Sequence, residues 1–76
     1  MIFEKVCALI AEQFNVDADT ITPQSNLITD LKADSMDIAT LLFEVEEKYG
    51  IEIDEDDLES LKTVGDIVLY IQNKKN

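Results

Sequence analysis

The chain has 76 residues, 17 acidic side chains, six lysines and neither arginine nor histidine, so its formal net charge is −11. This length predicts a single domain over residues 1–76, with a thin apolar core. The acidity argues against nucleic acid and anionic membranes as partners, since both attract basic patches. One cysteine and no histidine exclude a disulfide scaffold, a histidine metal site and a serine–histidine or cysteine–histidine nucleophile pair.

The first helical pattern lies near the N-terminus, where apolar side chains recur at helical spacing: Phe3, Val6, Cys7, Ile10 and Phe14. Cys7 falls on this stripe, so we expect a buried core thiol rather than a reactive one.

Charged residues interrupt the N-terminal region, and no apolar run approaches the roughly 20 residues of a membrane-spanning helix. The expected location is the cytoplasm or an organellar matrix.

Residues 15–34 predict a long connection, because they are rich in turn-forming side chains such as Asn15, Asp17 and Pro23. A connection of about 20 residues is uncommon in a compact domain. Five apolar residues are spaced along it, which predicts that it packs against the core: Val16, Ile21, Leu27, Ile28 and Leu31.

The second helical pattern has clear boundaries. Asp34 is the expected N-cap, with Asp37 three residues later in a capping-box arrangement, and the helix should run to about Tyr49 with Gly50 at C′. Successive turns of about 100° place one set of apolar residues on the core face: Ile38, Leu41, Leu42, Val45 and Tyr49. The opposite face carries Met36, Thr40, Phe43 and Glu47, flanked by Ala39 and Glu44.

Two further helices are expected towards the C-terminus. Asp54 should cap a short third helix, with Leu58 and Leu61 pointing inward. The last helix should begin at Thr63, with Asp66 three residues later. Ile51 and Ile53 alternate with Glu52, as in a strand, but no partner strand is evident. The predicted fold class is therefore all-α, with four helices, a long first loop and a short third helix.

Ser35 is the most suggestive position for chemistry, because a serine in the first turn of a helix projects from the end of the domain. A nucleophilic serine needs an adjacent general base, and a single carboxylate such as Asp34 is too weak. If Ser35 has a chemical role, we therefore expect it to be an acceptor for a modification performed by another enzyme. The alternative is that Asp34 and Ser35 do no more than start the helix.

An exposed pair of apolar residues, Met36 and Phe43, predicts a docking surface on the second helix. In the alternative, Phe43 covers the long connection. Between Ser35 and Ser60 lie ten acidic residues and one lysine, which give this third of the chain nine of its eleven excess negative charges. Such a field favours a basic protein partner. Together these features define a predicted docking surface: Met36, Asp37, Ala39, Thr40, Phe43, Glu44 and Glu47.

Clustered carboxylates also predict weak divalent-cation binding, with no structural metal site. Asp30, Asp34 and Asp37 are one candidate group, and the acidic stretch from Glu46 to Asp57 is another. An EF-hand starting at Asp54 fails, because Glu59 stands where glycine is needed and Gly65 where glutamate is needed.

Taken together, three segments resemble the acyl carrier protein family, and the resemblance covers essentially the whole chain. They are Asp30–Asp37 (DLKADSMD), residues 46–53 (EEKYGIEI) and the Thr63–Asp66 run (TVGD) with Tyr70 and Ile71. The resemblance implies an all-α bundle of acyl-carrier type and a non-catalytic carrier. It also implies that Ser35, flanked by Asp34, bears 4′-phosphopantetheine transferred from coenzyme A by a Mg²⁺-dependent phosphopantetheinyl transferase.

The same resemblance implies further roles. The terminal thiol of the arm would carry acyl chains as thioesters between enzymes of fatty-acid synthesis that bear basic docking patches. The family's apolar docking positions fall on Met36, Ala39 and Phe43. An acyl pocket would involve eight positions: Leu27, Leu41, Val45, Ile53, Leu58, Leu61, Ile67 and Tyr70. A monomer is the simplest expectation.

Departures from the family pattern leave the pathway open. Met36 replaces the usual leucine, Lys32 stands where glycine is common, and Thr40 stands where an acidic residue is common. The bulk of Leu58 and Ile67 should shrink the acyl pocket. A carrier for a polyketide, peptide or other specialised pathway is the main alternative. An unmodified acidic adaptor that only binds proteins is the other.

Overall fold

The computed structural model describes residues 1–75; Asn76, the last residue of the predicted domain, lies outside the described residues. It contains three α-helices, α1 (Ile2–Phe14), α2 (Ser35–Tyr49) and α3 (Val64–Lys75), and two 3₁₀ helices, Ala18–Thr20 and Glu55–Ser60. The all-α prediction is confirmed, and the short third helix is the 3₁₀ helix Glu55–Ser60. Across residues 1–75, no helix has the length and apolar character to cross a bilayer.

The core is built from one stripe on each α-helix together with the long connection. The α1 stripe buries Val6, Cys7 and Ile10, and burial raises the pKa of the Cys7 thiol, as does the nearby Glu4 carboxylate. The expectation of a buried core thiol is therefore confirmed. The fully enclosed residues come from the three α-helices and the long connection: Val6, Ile10, Leu27, Leu41, Val45, Val64, Ile67 and Ile71.

The long connection is tied to the start of α3 by backbone hydrogen bonds. Leu27 N–H donates to the Lys62 carbonyl (3.0 Å), Val64 N–H to the Ser25 carbonyl (3.1 Å) and Gly65 N–H to the Pro23 carbonyl (2.9 Å). A Cβ on Gly65 would lie 2.9 Å from the Pro23 carbonyl oxygen, so only glycine permits this approach. The connection therefore crosses the domain as an ordered part of the core.

The prediction that all five apolar residues of the connection pack inward is wrong for Ile28, which is 60% exposed. The Asn26 side chain accepts hydrogen bonds from the N–H groups of Ile28 and Thr29, which makes a tight turn. Within this turn Leu27 faces the core, and the next residue, Ile28, faces outward.

An acidic residue at the N3 position helps to fix the start of both α2 and α3. At α3, Thr63 Oγ1 accepts from Asp66 N–H (3.2 Å), and an Asp66 carboxylate oxygen accepts from Thr63 N–H (3.1 Å), as predicted. At the 3₁₀ helix Glu55–Ser60 the predicted cap is wrong, because the Asp54 side chain makes no capping hydrogen bond. Leu61 is buried as predicted, whereas Leu58 is 43% exposed, because the whole 3₁₀ helix lies on the surface.

Candidate functional site

The N-terminus of α2 is fixed by a reciprocal pair of hydrogen bonds. Asp34 Oδ1 accepts from Asp37 N–H (2.9 Å), and Asp37 Oδ2 accepts from Asp34 N–H (3.2 Å), which completes the predicted capping box. At the other end of the helix Gly50 adopts a left-handed conformation (φ 64°) at the predicted position. Asp34, not Ser35, supplies the capping side chain, so capping does not occupy the Ser35 hydroxyl.

Ser35 is the first residue of α2 and is exposed. The turn that carries it is held from two sides. Gln13 Nε2 on α1 donates to the Asp37 carbonyl oxygen (2.7 Å), and Ala33 N–H donates to the Leu27 carbonyl oxygen (2.9 Å). The hydroxyl is thus presented to solvent from a rigid base.

The surroundings of Ser35 contain no group suited to remove its proton. The sequence has no histidine, and the nearby carboxylates of Asp34 and Asp37 already accept backbone N–H groups. A serine without a general base is a poor nucleophile on its own. The arrangement therefore suits an acceptor hydroxyl, activated by another enzyme, better than a catalytic serine.

The outer face of α2 exposes its predicted apolar pair: Met36 is 78% and Phe43 58% exposed. Ala39, Thr40 and Glu47 are also exposed, while Asp37 and Glu44 are half-buried. All seven predicted docking residues thus lie on one helix.

Phe43 lines a groove of about 280 Å³, called groove B, that no residue of the long connection lines. The residues of groove B are Ala39, Leu42, Phe43, Glu46, Ile53 and Leu58.

A second groove, called groove A, has a volume of about 380 Å³ and lies between the long connection, α2 and the 3₁₀ helix. Its residues are Leu27, Ile28, Ile38, Leu58, Glu59, Leu61 and Lys62. Ile38 and Leu42 lie three and seven residues after Ser35 and therefore on the same side of α2. The face that presents Ser35 thus continues into both grooves.

The eight positions implied for an acyl pocket divide into two groups. Leu27, Leu58 and Leu61 line groove A, while Ile53 and again Leu58 line groove B. The remaining four line neither groove: Leu41, Val45 and Ile67 are enclosed in the core, and Tyr70 is half-buried. Ile28, Ile38, Leu42 and Lys62 also line the grooves and were missed. For Ile38 and Leu42, the spacing from Ser35 was a usable signal.

The predicted cation cluster does not assemble into a metal site. Asp34 and Asp37 bind each other's backbone N–H groups, and Asp30 Oδ2 accepts from Asn26 N–H (2.8 Å). Residues 1–75 contain no group of three or more cysteine or carboxylate ligands arranged to hold a metal ion.

Comparison with known proteins agrees with this geometry. The family described as "Phosphopantetheine attachment site" matches residues 4–71. Two acyl carrier proteins from Helicobacter pylori, strains G27 and HPAG1, are each 46% identical over 74 residues, or 97% of this chain and 95% of theirs. A solved acyl carrier protein from Enterococcus faecalis superimposes with a TM-score of 0.84 at 37% identity, covering 96% of this chain and 92% of that one.

The family match and the relatives span nearly the whole chain, and the solved structure has the same fold. The chain therefore belongs to the acyl carrier protein family, whose members carry acyl chains on 4′-phosphopantetheine.

Proposed function

We propose that this chain is a single acyl carrier domain that bears 4′-phosphopantetheine on Ser35 and delivers acyl thioesters to enzymes of fatty-acid synthesis. It acts as a cosubstrate and not as an enzyme. The observation that carries this proposal is the exposed Ser35 at the first position of a capped helix, on the side of α2 whose Ile38 and Leu42 line grooves A and B.

The residues around Ser35 fit the phosphopantetheine group. A phosphodiester on Ser35 would sit at the N-terminus of α2, where the helix dipole favours negative charge. An acyl chain on the arm would meet Ile38 and Leu42, which lie along the Ser35 side of the helix and line grooves A and B. When attached, the arm supplies the thiol that forms the thioester.

The outer face of α2 is the proposed docking surface for the phosphopantetheinyl transferase and the synthesis enzymes. Met36 and Phe43 supply exposed apolar area, and Asp37, Glu44 and Glu47 surround it with negative charge. Partners with lysine and arginine patches are the electrostatic complement. The protein acts as a monomer in the cytoplasm, and in a monomer the whole of this docking surface is free to contact partners.

Thr40 and Lys32 support a second candidate within the same class, a carrier dedicated to a polyketide or peptide pathway. Thr40 is exposed on the docking face and provides no charge where an acidic residue is common. Lys32 adds a positive charge two residues before Asp34. The two pathways differ in the enzymes that accept the loaded carrier.

Intact mass tests the proposal directly. The unmodified chain is incubated with coenzyme A, Mg²⁺ and a broad-specificity phosphopantetheinyl transferase. We expect the mass to rise by one phosphopantetheine group in the wild type and in Ser60→Ala, a control at another exposed serine, and not in Ser35→Ala. An unmodified wild-type product would favour the adaptor alternative, for which Ser35→Ala should leave protein binding intact.

A further inference from the structure

The 3₁₀ helix Glu55–Ser60 lies between grooves A and B, and little apolar packing holds it in place. None of its six residues is buried. Leu58, near its middle, is 43% exposed and lines both groove A and groove B. The Leu58 side chain is therefore a wall shared by the two grooves.

Both ends of the segment that carries Leu58 are anchored. On the N-terminal side, Ile53 N–H donates to a Glu46 carboxylate oxygen of α2 (2.7 Å). On the C-terminal side, Leu61 is buried in the core. Any opening of this segment is thus confined to residues 54–60 between the two anchors.

Tyr70 of α3 holds the middle of the segment through its hydroxyl. This hydroxyl donates to Asp57 Oδ2 (2.7 Å) and accepts from Asp54 N–H (3.3 Å). Lys74 adds an ion pair with Asp54 (3.7 Å) and lies 5.4 Å from the centre of the Tyr70 ring. Residues held by polar contacts at a surface open more readily than a packed core.

We propose that the Tyr70–Asp57 hydrogen bond is a latch that keeps Leu58 between grooves A and B, and that its release joins them into one channel for longer acyl chains. This inference rests on the proposed function, because it specifies which acyl chains the carrier shelters. Tyr70 acts as a positioning residue, and Leu58 determines specificity.

Amide hydrogen exchange on the unmodified protein tests the latch without any acyl group. Asp57 N–H and Leu61 N–H donate to the carbonyls of Asp54 and Leu58 and report on the segment. In Tyr70→Phe they should exchange about tenfold faster, because the variant loses the hydrogen bond to Asp57 together with the longer one from Asp54 N–H. The α3 amide of Ile67 should not change.

Two further variants sharpen this experiment. Tyr49→Phe is the matched control, because the Tyr49 hydroxyl is buried and has no hydrogen-bond partner within the described residues. Asp57→Ala should also accelerate exchange, and the double variant should exchange no faster than Tyr70→Phe, which already lacks both contacts of the hydroxyl. Unchanged exchange in Tyr70→Phe, or equal acceleration at Ile67, would overturn the latch.

Acylated protein tests the consequence for cargo. Octanoyl and hexadecanoyl thioesters are formed on the arm, and their cleavage by hydroxylamine is timed. In Leu58→Ala and Tyr70→Phe the hexadecanoyl thioester should be cleaved more slowly than in the wild type, by about fourfold for each additional methylene group buried. Tyr49→Phe should match the wild type.

Equal cleavage rates in all four proteins would overturn the gating role of Leu58. If Ser35 accepts no arm, the proposed function fails, and the exchange rates of the unmodified protein still confirm or refute the latch.

Discussion

Gln13 and Asp37 join α1 to the turn that presents Ser35. Gln13 Nε2 lies 2.7 Å from the Asp37 carbonyl oxygen, 24 residues away in sequence. The other amide atom, Gln13 Oε1, is buried and has no hydrogen-bond partner within the described residues. One side chain thus makes a cross-helix bond and also carries an unpaired polar atom.

Gln13→Glu should destabilise the fold, because a carboxylate cannot donate to the Asp37 carbonyl and leaves charge in a half-buried position. We expect a loss of about 1–3 kcal/mol in the free energy of unfolding, measured with urea. Gln13→Met should cost less, since it removes the unpaired oxygen together with the hydrogen bond. Ala8→Glu adds the same charge at an exposed position of α1 and controls for the overall charge. A stability of Gln13→Glu equal to that of Ala8→Glu would refute the role of the bond.

Gly65→Ala tests the close approach of the long connection to α3. Helix propensity alone would favour alanine by about 0.5–1 kcal/mol. The new Cβ would meet the Pro23 carbonyl oxygen at 2.9 Å, a backbone atom that is itself hydrogen-bonded to Gly65 N–H. Overpacking of this kind costs about 1–3 kcal/mol, so we expect a lower melting temperature. A variant as stable as the wild type would show that the long connection moves away from the new Cβ at little cost in free energy.

Lys32 adopts a left-handed conformation with φ 61°, which is unusual for a residue with a Cβ. This conformation costs about 1–2 kcal/mol for an ordinary residue, which exceeds the entropic penalty of glycine. Lys32→Gly should therefore be more stable than Lys32→Ala by about 1 kcal/mol in urea unfolding. The comparison between these two variants cancels the loss of the lysine charge. Equal free energies of unfolding for Lys32→Gly and Lys32→Ala would show that the left-handed conformation at this position is not strained.

High pH should weaken the fold through Tyr70. Burial raises the pKa of the Tyr70 phenol, and its hydrogen bond to Asp57 raises it further, against smaller opposing effects of the Asp54 N–H and Lys74. A raised folded-state pKa gives stability that is fully present below the unfolded value near 10 and is lost as pH rises through the folded value.

Urea unfolding of the wild type and of Tyr70→Phe at pH 8 and pH 11 checks this predicted loss of stability with rising pH. The wild type should be the more stable by about 0.5–1.5 kcal/mol at pH 8, and this advantage should be smaller at pH 11. Burial alone raises the pKa of Tyr49, which is present in both proteins, so its contribution cancels in the difference. A difference that stays constant with pH would refute the contribution of the phenol.

Local sequence patterns predicted the elements whose stabilising contacts are themselves local. The acidic residues three positions apart at Asp34 and Asp37 placed the start of α2, and Gly50 placed its end. Helical periodicity separated the exposed Met36 and Phe43 from the core face. Ser35 was singled out because it directly follows the predicted N-cap Asp34, which the local sequence reveals.

Contacts between distant residues were beyond such reasoning. The Tyr70–Asp57 bond joins residues 13 apart on different elements. The exposure of Leu58 depends on where the 3₁₀ helix settles against α2 and the long connection. Hydrophobicity predicts that leucine prefers burial, but a surface helix that also lines grooves leaves it partly exposed.

The most direct test of the account locates the added group on the loaded chain. Cleavage after Lys32 and Lys48 yields the peptide 33–48, whose only hydroxyl-bearing residues are Ser35 and Thr40. We predict that fragmentation of this peptide by mass spectrometry places one phosphopantetheine group on Ser35. A group found on Thr40 or on any other peptide would contradict the central claim, as would a wild-type chain that accepts no group from coenzyme A.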